Sequence, residues 1–253
     1  MSDNDQVKLS GDDLIEKTSK KQWICFTIIF LISWGISIFL WFQVDADRHI
    51  LFTLNNSNFS DGLIGINRFF TRYGMSLIVF IYTLYLALSQ KFTSLKKSRQ
   101  VFLLIIFSFA VAGISGDILK MIFNRTRPIQ EYANQLSFFT RSGSPSLPSG
   151  HSTKSLALAL PFLFYAEYKG RFHTLVKCIL VFVALMVCFS RIFLGAHYLS
   201  DVLAGIGWAF LCLPVSVILS NKLLRKMTYK RFEFAAKIWI LVYLGFMIYL
   251  MFS

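Results

Sequence analysis

Three polar clusters interrupt an otherwise apolar chain: Lys120-Met-Ile-Phe-Asn-Arg-Thr-Arg127-Pro128, Leu147-Pro148-Ser149-Gly150-His151-Ser152 and Ser190-Arg191-Ile-Phe-Leu-Gly-Ala-His197-Tyr-Leu-Ser-Asp201. His197 and Asp201 are four apart, so on a helix they share a face. The carboxylate can then hold one imidazole nitrogen as N–H and leave the other as a lone-pair nucleophile. His151 can supply the proton that a leaving oxygen needs, a role worth about 10²–10⁴ in rate. Lys120, Arg127 and Arg191 bring three cations, which match a phosphate and the charge that grows on its oxygens during transfer. Ser149 is a candidate helix N-cap, and Gly150 lets the backbone approach a ligand closely. The free N–H groups of such a helix start suit an anion. No group of His, Cys or carboxylates is left over as a ligand set, so no metal and no cofactor is implied. Interfacial snorkelling would account for any one of the cations, but not for their alignment with two histidines.

The elements that must position these residues are apolar. Of the 253 residues, 55% are hydrophobic and 15% charged, and the mean hydropathy is +0.58. Trp23 to Phe42 is one uncharged run of about the length that crosses a bilayer. Similar runs follow at roughly 73–90, 101–119, 152–166, 174–189, 198–220 and 234–252. The expectation is an all-α, polytopic membrane bundle of six to seven spans. Phe234 to Phe252 is either the seventh or a re-entrant or surface-lying helix. Continuous runs without alternating polarity disfavour a β-barrel. Residues 1–22 read as a cytoplasmic N-terminal tail and 23–253 as one membrane-embedded domain; the first run reads as an anchor, not a cleaved signal. No internal repeat is visible. Within Gln43 to Tyr73, Asp61 to Phe70 reads as a short amphipathic helix capped by Asp61. Met121 to Pro148 is the longest polar connection. His49 and His173 match no motif and read as loop residues. The four cysteines fall inside predicted spans and suggest packing.

The net charge of +13 does not call for a nucleic-acid partner, because its distribution is topological. Lys and Arg concentrate in the tail, in 91–99, in 169–177 and in 222–231, which the positive-inside rule assigns to the cytoplasm. The first two clusters share one loop, and two spans separate them from the third. All three therefore face the same, outer side. A cation at the bilayer centre would cost about 2.5–3.5 kcal/mol on insertion scales; placement at span ends avoids most of that. Pro128 biases Arg127 away from helical geometry, so Arg127 can turn back towards the pocket.

The pattern Lys-x6-Arg-Pro, Pro-Ser-Gly-His and Ser-Arg-x5-His-x3-Asp, running from Lys120 to Asp201, resembles the type 2 phosphatidic acid phosphatase superfamily. These are membrane lipid phosphatases related to acid phosphatases and vanadium haloperoxidases. Every fixed position is matched in order and spacing. The resemblance implies that His197 attacks phosphorus to give a phosphohistidine, with Asp201 as its orienting partner, and that His151 protonates the leaving group. Lys120, Arg127, Ser149, Gly150 and Arg191 would bind the phosphoryl oxygens, without a metal. Arg125 and Lys154 are candidates for a second phosphate or sugar oxygens, and Asp117 for a partner of Lys120 or Arg125. The implied substrate is a membrane lipid phosphate or pyrophosphate. Lipid A phosphate and undecaprenyl pyrophosphate are favoured over phosphatidylglycerol phosphate or phosphatidate. The short loops suggest a bacterial inner membrane with a periplasmic site. A phosphotransferase using the same intermediate, or a non-catalytic lipid-binding protein, are the alternatives.

Overall fold

The computed structural model describes residues 14–56, 59–92, 99–138, 143–166 and 170–252, with the side chains of 244 and 246–252 excepted. Much of the expected tail and most of the basic turn at 91–99 lie outside the described residues. The described chain is helical throughout: α1 Lys20–Phe42, α2 Val44–Asn55, α3 Asp61–Lys91, α4 Val101–Phe123, α5 Pro128–Tyr132, α6 Gly150–Tyr165, α7 Arg171–Phe193, α8 Leu199–Leu224 and α9 Tyr229–Phe252.

Among the described residues, five helices (α1, α3, α4, α7 and α8) are long and apolar enough to cross a membrane. The protein is a multi-pass integral membrane protein. Its helices turn bulky apolar side chains outwards, as Leu31 and Phe39 on α1, Ile114 on α4 and Phe182 on α7 do. That arrangement suits a lipid surround.

The shorter α6 lies at the centre, against α3, α4, α7 and α8. Apart from His151 and Lys154 in its first turns, its residues are small or apolar, and most are buried, as a helix surrounded by others requires. Small residues permit the approach. A Cβ on Gly205 of α8 would fall 2.7 Å from the Ser149 carbonyl oxygen, so α8 presses on the start of α6. A Cβ on Gly74 of α3 would strike the Val187 side chain of α7.

The ends of the bundle are defined by contacts. At one end, the segment before α1 meets the ends of α6 and α8: Thr18 pairs with Tyr165 at 2.7 Å, and the Ile15 amide donates to Asn221 at 3.0 Å. Arg99 pairs there with Glu233 at the start of α9. From this end α9 runs back along α3, where Trp239 donates to Thr83 at 3.2 Å and Tyr243 to the Ser76 carbonyl at 2.7 Å. It therefore packs antiparallel along α3, beside the five long helices named above.

Several local expectations are corrected. Asp61 to Phe70 is not a separate helix: it continues without a break into the next run to make the 31-residue α3, whose N-cap is Ser60. Residues 44–55 form the helix α2, where His49 sits. His173 lies buried in the first turn of α7, 3.2 Å from the Ala166 carbonyl, not in a loop. The connection after α4 contains α5 and is held from α2, since Asn55 donates to the Phe138 and Phe193 carbonyls at 2.7 and 2.9 Å.

Candidate active site

At the end opposite the N-terminal segment, α4 and α7 finish and α6 and α8 begin. Each motif supplies one of these junctions. Asn124 ends α4 in the left-handed conformation, φ 41° and ψ 40°, with its amide on the Lys120 carbonyl at 2.9 Å. Asparagine tolerates that conformation better than most residues. Arg127 then takes the extended conformation, φ −86° and ψ 153°, that the following proline favours. Ser149 caps α6. Between α7 and α8 the chain turns through Gly195, φ +59°, where a Cβ would meet Leu136 at 3.0 Å and the Phe138 carbonyl at 3.3 Å; only glycine fits there without strain. That turn brings the amides of Ala196 and His197 onto the Arg191 carbonyl at 3.0 and 3.1 Å.

These junctions surround one cavity of about 850 Å³, lined by Lys120, Arg127, Gly150, His151, Arg191 and His197 among others. Lys120, Arg127, Arg191 and His197 are all buried. Arg127 donates to His197 Nε2 at 3.0 Å. A guanidinium has no lone pair to offer, so Nε2 must be the unprotonated nitrogen and Nδ1 must carry the hydrogen. Nδ1 faces Ser146 Oγ at 3.2 Å and Asp201 Oδ2 at 3.4 Å. Asp201 Oδ2 also accepts from the Ser146 hydroxyl and from the Tyr198 amide, the latter at 3.0 Å. Burial pushes the His197 imidazole down to about 3; the bond to Asp201 raises it, but the positive charges of Arg127 and Arg191 oppose that. The ring is thus a neutral imidazole with its lone pair turned to a cationic cavity.

Among the described residues, the cations on the cavity side share a single carboxylate. Lys120 has only Asp117, at 3.8 Å and half exposed; Asp117 also pairs with Lys154 at 3.2 Å. Arg127 spends its remaining donors on neutral oxygens, those of Ala196, Ser144 and Pro145. Arg191 donates to Thr71 Oγ1 at 3.2 Å, and its buried Nε–H has no protein acceptor among the described residues. Buried cations in this state favour an anion strongly. Gly150 has its own reason for being glycine, since a Cβ there would stand 3.0 Å from the Lys120 ammonium.

Residues 101–225 match the PAP2 superfamily. This chain belongs to the PAP2 superfamily. An undecaprenyl-diphosphatase of Sulfolobus acidocaldarius is 25% identical over 187 residues, 72% of this chain and 83% of that protein. A lipid A 1-phosphatase of Rhizobium johnstonii is 33% identical over 108 residues, and this chain spans 41% of its length. A lipid A 1-phosphatase of Rhizobium etli is 34% identical over 117 residues, 45% of its length. Among solved structures, a transmembrane PAP2-type phosphatidylglycerolphosphate phosphatase from Bacillus subtilis shares the fold, with a TM-score of 0.57 and 22% identity over 79% of this chain and 96% of that one.

Not every residue singled out in the PAP2 motifs lines the cavity. Asp201 stands behind His197, and the Ser149 side chain is taken up in the α6 cap, accepting from the Ser152 hydroxyl at 3.0 Å. Lys154 does line the cavity. Arg125, expected at a second phosphate, instead lies behind the site. It donates to Asp201 Oδ1 at 2.7 Å and to Asp47 Oδ2 at 3.0 Å, and its guanidinium lies over the Tyr198 ring at 4.3 Å. Burial opposes its charge, but Asp201 and Asp47 more than offset that and raise its pKa. Asp47 in turn accepts from the Ser200 amide at 3.2 Å and from the Ser200 hydroxyl. Asp47 and Ser146 escaped the sequence reading because neither belongs to a motif. Arg68, Thr71 and Arg72 of α3 line the cavity as well; their spacing of three and four on a helix was the available signal.

Proposed function

We propose that the protein is a lipid phosphatase that removes a phosphoryl group from a membrane lipid phosphate or diphosphate through a phosphohistidine on His197. The observation that carries this reading is the neutral His197 ring, its lone pair at a buried gathering of Lys120, Arg127 and Arg191 whose one carboxylate among the described residues is the half-exposed Asp117, shared with Lys154. An entering phosphate gives these cations their counter-charge, and Arg127 moves its donor from Nε2 to a phosphoryl oxygen. Nε2 then forms the P–N bond while the P–O bond to the leaving group breaks, and His151, protonated once the substrate's negative charge offsets the surrounding cations, gives the leaving oxygen its proton. Nδ1–H, held by Asp201 and Ser146, stabilises the ring as it becomes cationic. Water next attacks phosphorus with His151 taking its proton, the P–Nε2 bond breaks to return the lone pair to His197, and inorganic phosphate leaves. The three cations neutralise charge on the equatorial oxygens throughout.

The basic residues Lys20, Lys21, Lys222 and Arg225 sit at or beside the end of the bundle opposite the cavity. The positive-inside rule favours the cytoplasm for that end, which supports a cavity on the outer face, the periplasmic one in a bacterial inner membrane. Undecaprenyl diphosphate and lipid A phosphate are the favoured substrates, in keeping with the activities named for the relatives. The test is a phosphate-release panel of purified protein over those lipids, phosphatidylglycerol phosphate and phosphatidate, with and without chelator. Release from donor lipid alone, abolished by His197→Ala and insensitive to chelator, is expected. Phosphate transfer only when an acceptor lipid is added would make the enzyme a phosphotransferase.

A further inference from the structure

Arg68 and Arg72 are one turn apart on α3 and line the same cavity as the two histidines. Their position follows from the length of the helix. The 31 residues of α3 extend about 46 Å at 1.5 Å per residue, against a hydrocarbon core of about 30 Å. Its length leaves room for turns beyond the core, and its early turns line the cavity through Arg68, Thr71 and Arg72. Thr71, between the two arginines, fixes this face to the site: its hydroxyl lies 2.6 Å from Ser190 Oγ and accepts from Arg191 at 3.2 Å. Neither Arg68 nor Arg72 has a carboxylate within ion-pair distance among the described residues. The carboxylate that lines the cavity, Asp117, is already shared by Lys154 and Lys120.

Lys120, Arg127 and Arg191 already match the three non-bridging oxygens of one phosphoryl group. Two further guanidinium forks on the adjoining wall suit a second one, since Arg binds phosphate in a bidentate, charge-assisted manner. We propose that Arg68 and Arg72 hold the second phosphoryl group of a lipid diphosphate while the first is transferred, so that the enzyme favours diphosphate over monophosphate lipids. This rests on the phosphatase reading above.

The test uses the full-length protein in detergent, a short-chain isoprenyl diphosphate, the matching monophosphate, and Arg68→Gln/Arg72→Gln. The double variant should lose about tenfold or more in kcat/KM on the diphosphate, the size expected for charge-assisted hydrogen bonds, and about threefold or less on the monophosphate. Arg68→Lys/Arg72→Lys should recover part of the loss. Inorganic pyrophosphate should inhibit the wild type more strongly than inorganic phosphate, and the Gln variant should lose that difference. Equal losses on both lipids would overturn the proposal and leave the arginines as general attractants of anionic head groups. Equal inhibition of the wild type by phosphate and pyrophosphate would overturn it too. No phosphate release from either lipid by the wild type would instead refute the phosphatase reading on which it rests.

Discussion

Arg125 and Arg127 are two residues apart, yet they belong to regions with opposite electrostatic logic. Behind His197, Arg125 lies between Asp201 and Asp47, and Tyr198 donates to Glu131 at 2.7 Å. Charged groups there find their partners inside the protein. In front, Arg127 shares the cavity with Lys120 and Arg191, and its partners are carbonyls, a serine hydroxyl and an imidazole lone pair. Charge there is left for something else to balance. The rear network behaves as structure: removing one member strands another. The front behaves as a binding site: its members repel one another until an anion arrives.

Substitutions should separate the two regions, and His197→Ala should have the largest effect. It removes the nucleophile, so phosphate release should fall by about 10⁴ or more while the protein still folds. Arg191→Gln comes next, with about 10²–10³ lost in kcat. Because the cation it removes is buried without a carboxylate, thermal unfolding in detergent should show no loss of stability. Arg125→Met should do the reverse in kind. It leaves Asp47 and Asp201 facing each other without a cation, so stability should drop by about 3–5 kcal/mol, and adding Asp47→Asn should recover part of it. An Arg125→Met protein as stable as wild type would erase the contrast. Ser146→Ala should cost about 1–3 kcal/mol of transition-state stabilisation, read as a fall in kcat with KM little changed.

A further effect is on the pH dependence of stability. His197 titrates at about 3 in the folded protein and about 6.5 when unfolded. Between these values the unfolded chain binds more protons, so folding stability falls as pH is lowered through that window. His197→Gln should remove that part of the slope, seen by comparing unfolding of the two proteins from pH 7 to pH 4.

Much of the site was legible because its spacing is local. Ser149 caps α6 as its type suggests, Pro128 keeps Arg127 extended, and the apolar runs give the long helices. The parts that were not legible depend on contacts between distant segments. Nothing in the order Arg125-Thr126-Arg127 tells which side chain reaches the cavity, because the left-handed turn at Asn124 sets the direction. Asp47 acquires its role only when α2 packs against the start of α8. The amphipathic stretch after Asp61 was recognised as helical, but its fusion with the following span is what carries Arg68 and Arg72 to the cavity wall.

The most direct test of the cationic cavity as a site of phosphoryl transfer is to trap the intermediate. Wild-type protein mixed with labelled lipid diphosphate and quenched in alkali within one turnover should carry label on His197, and His197→Ala should carry none. Turnover without protein-bound label, or label on a residue other than His197, would contradict it.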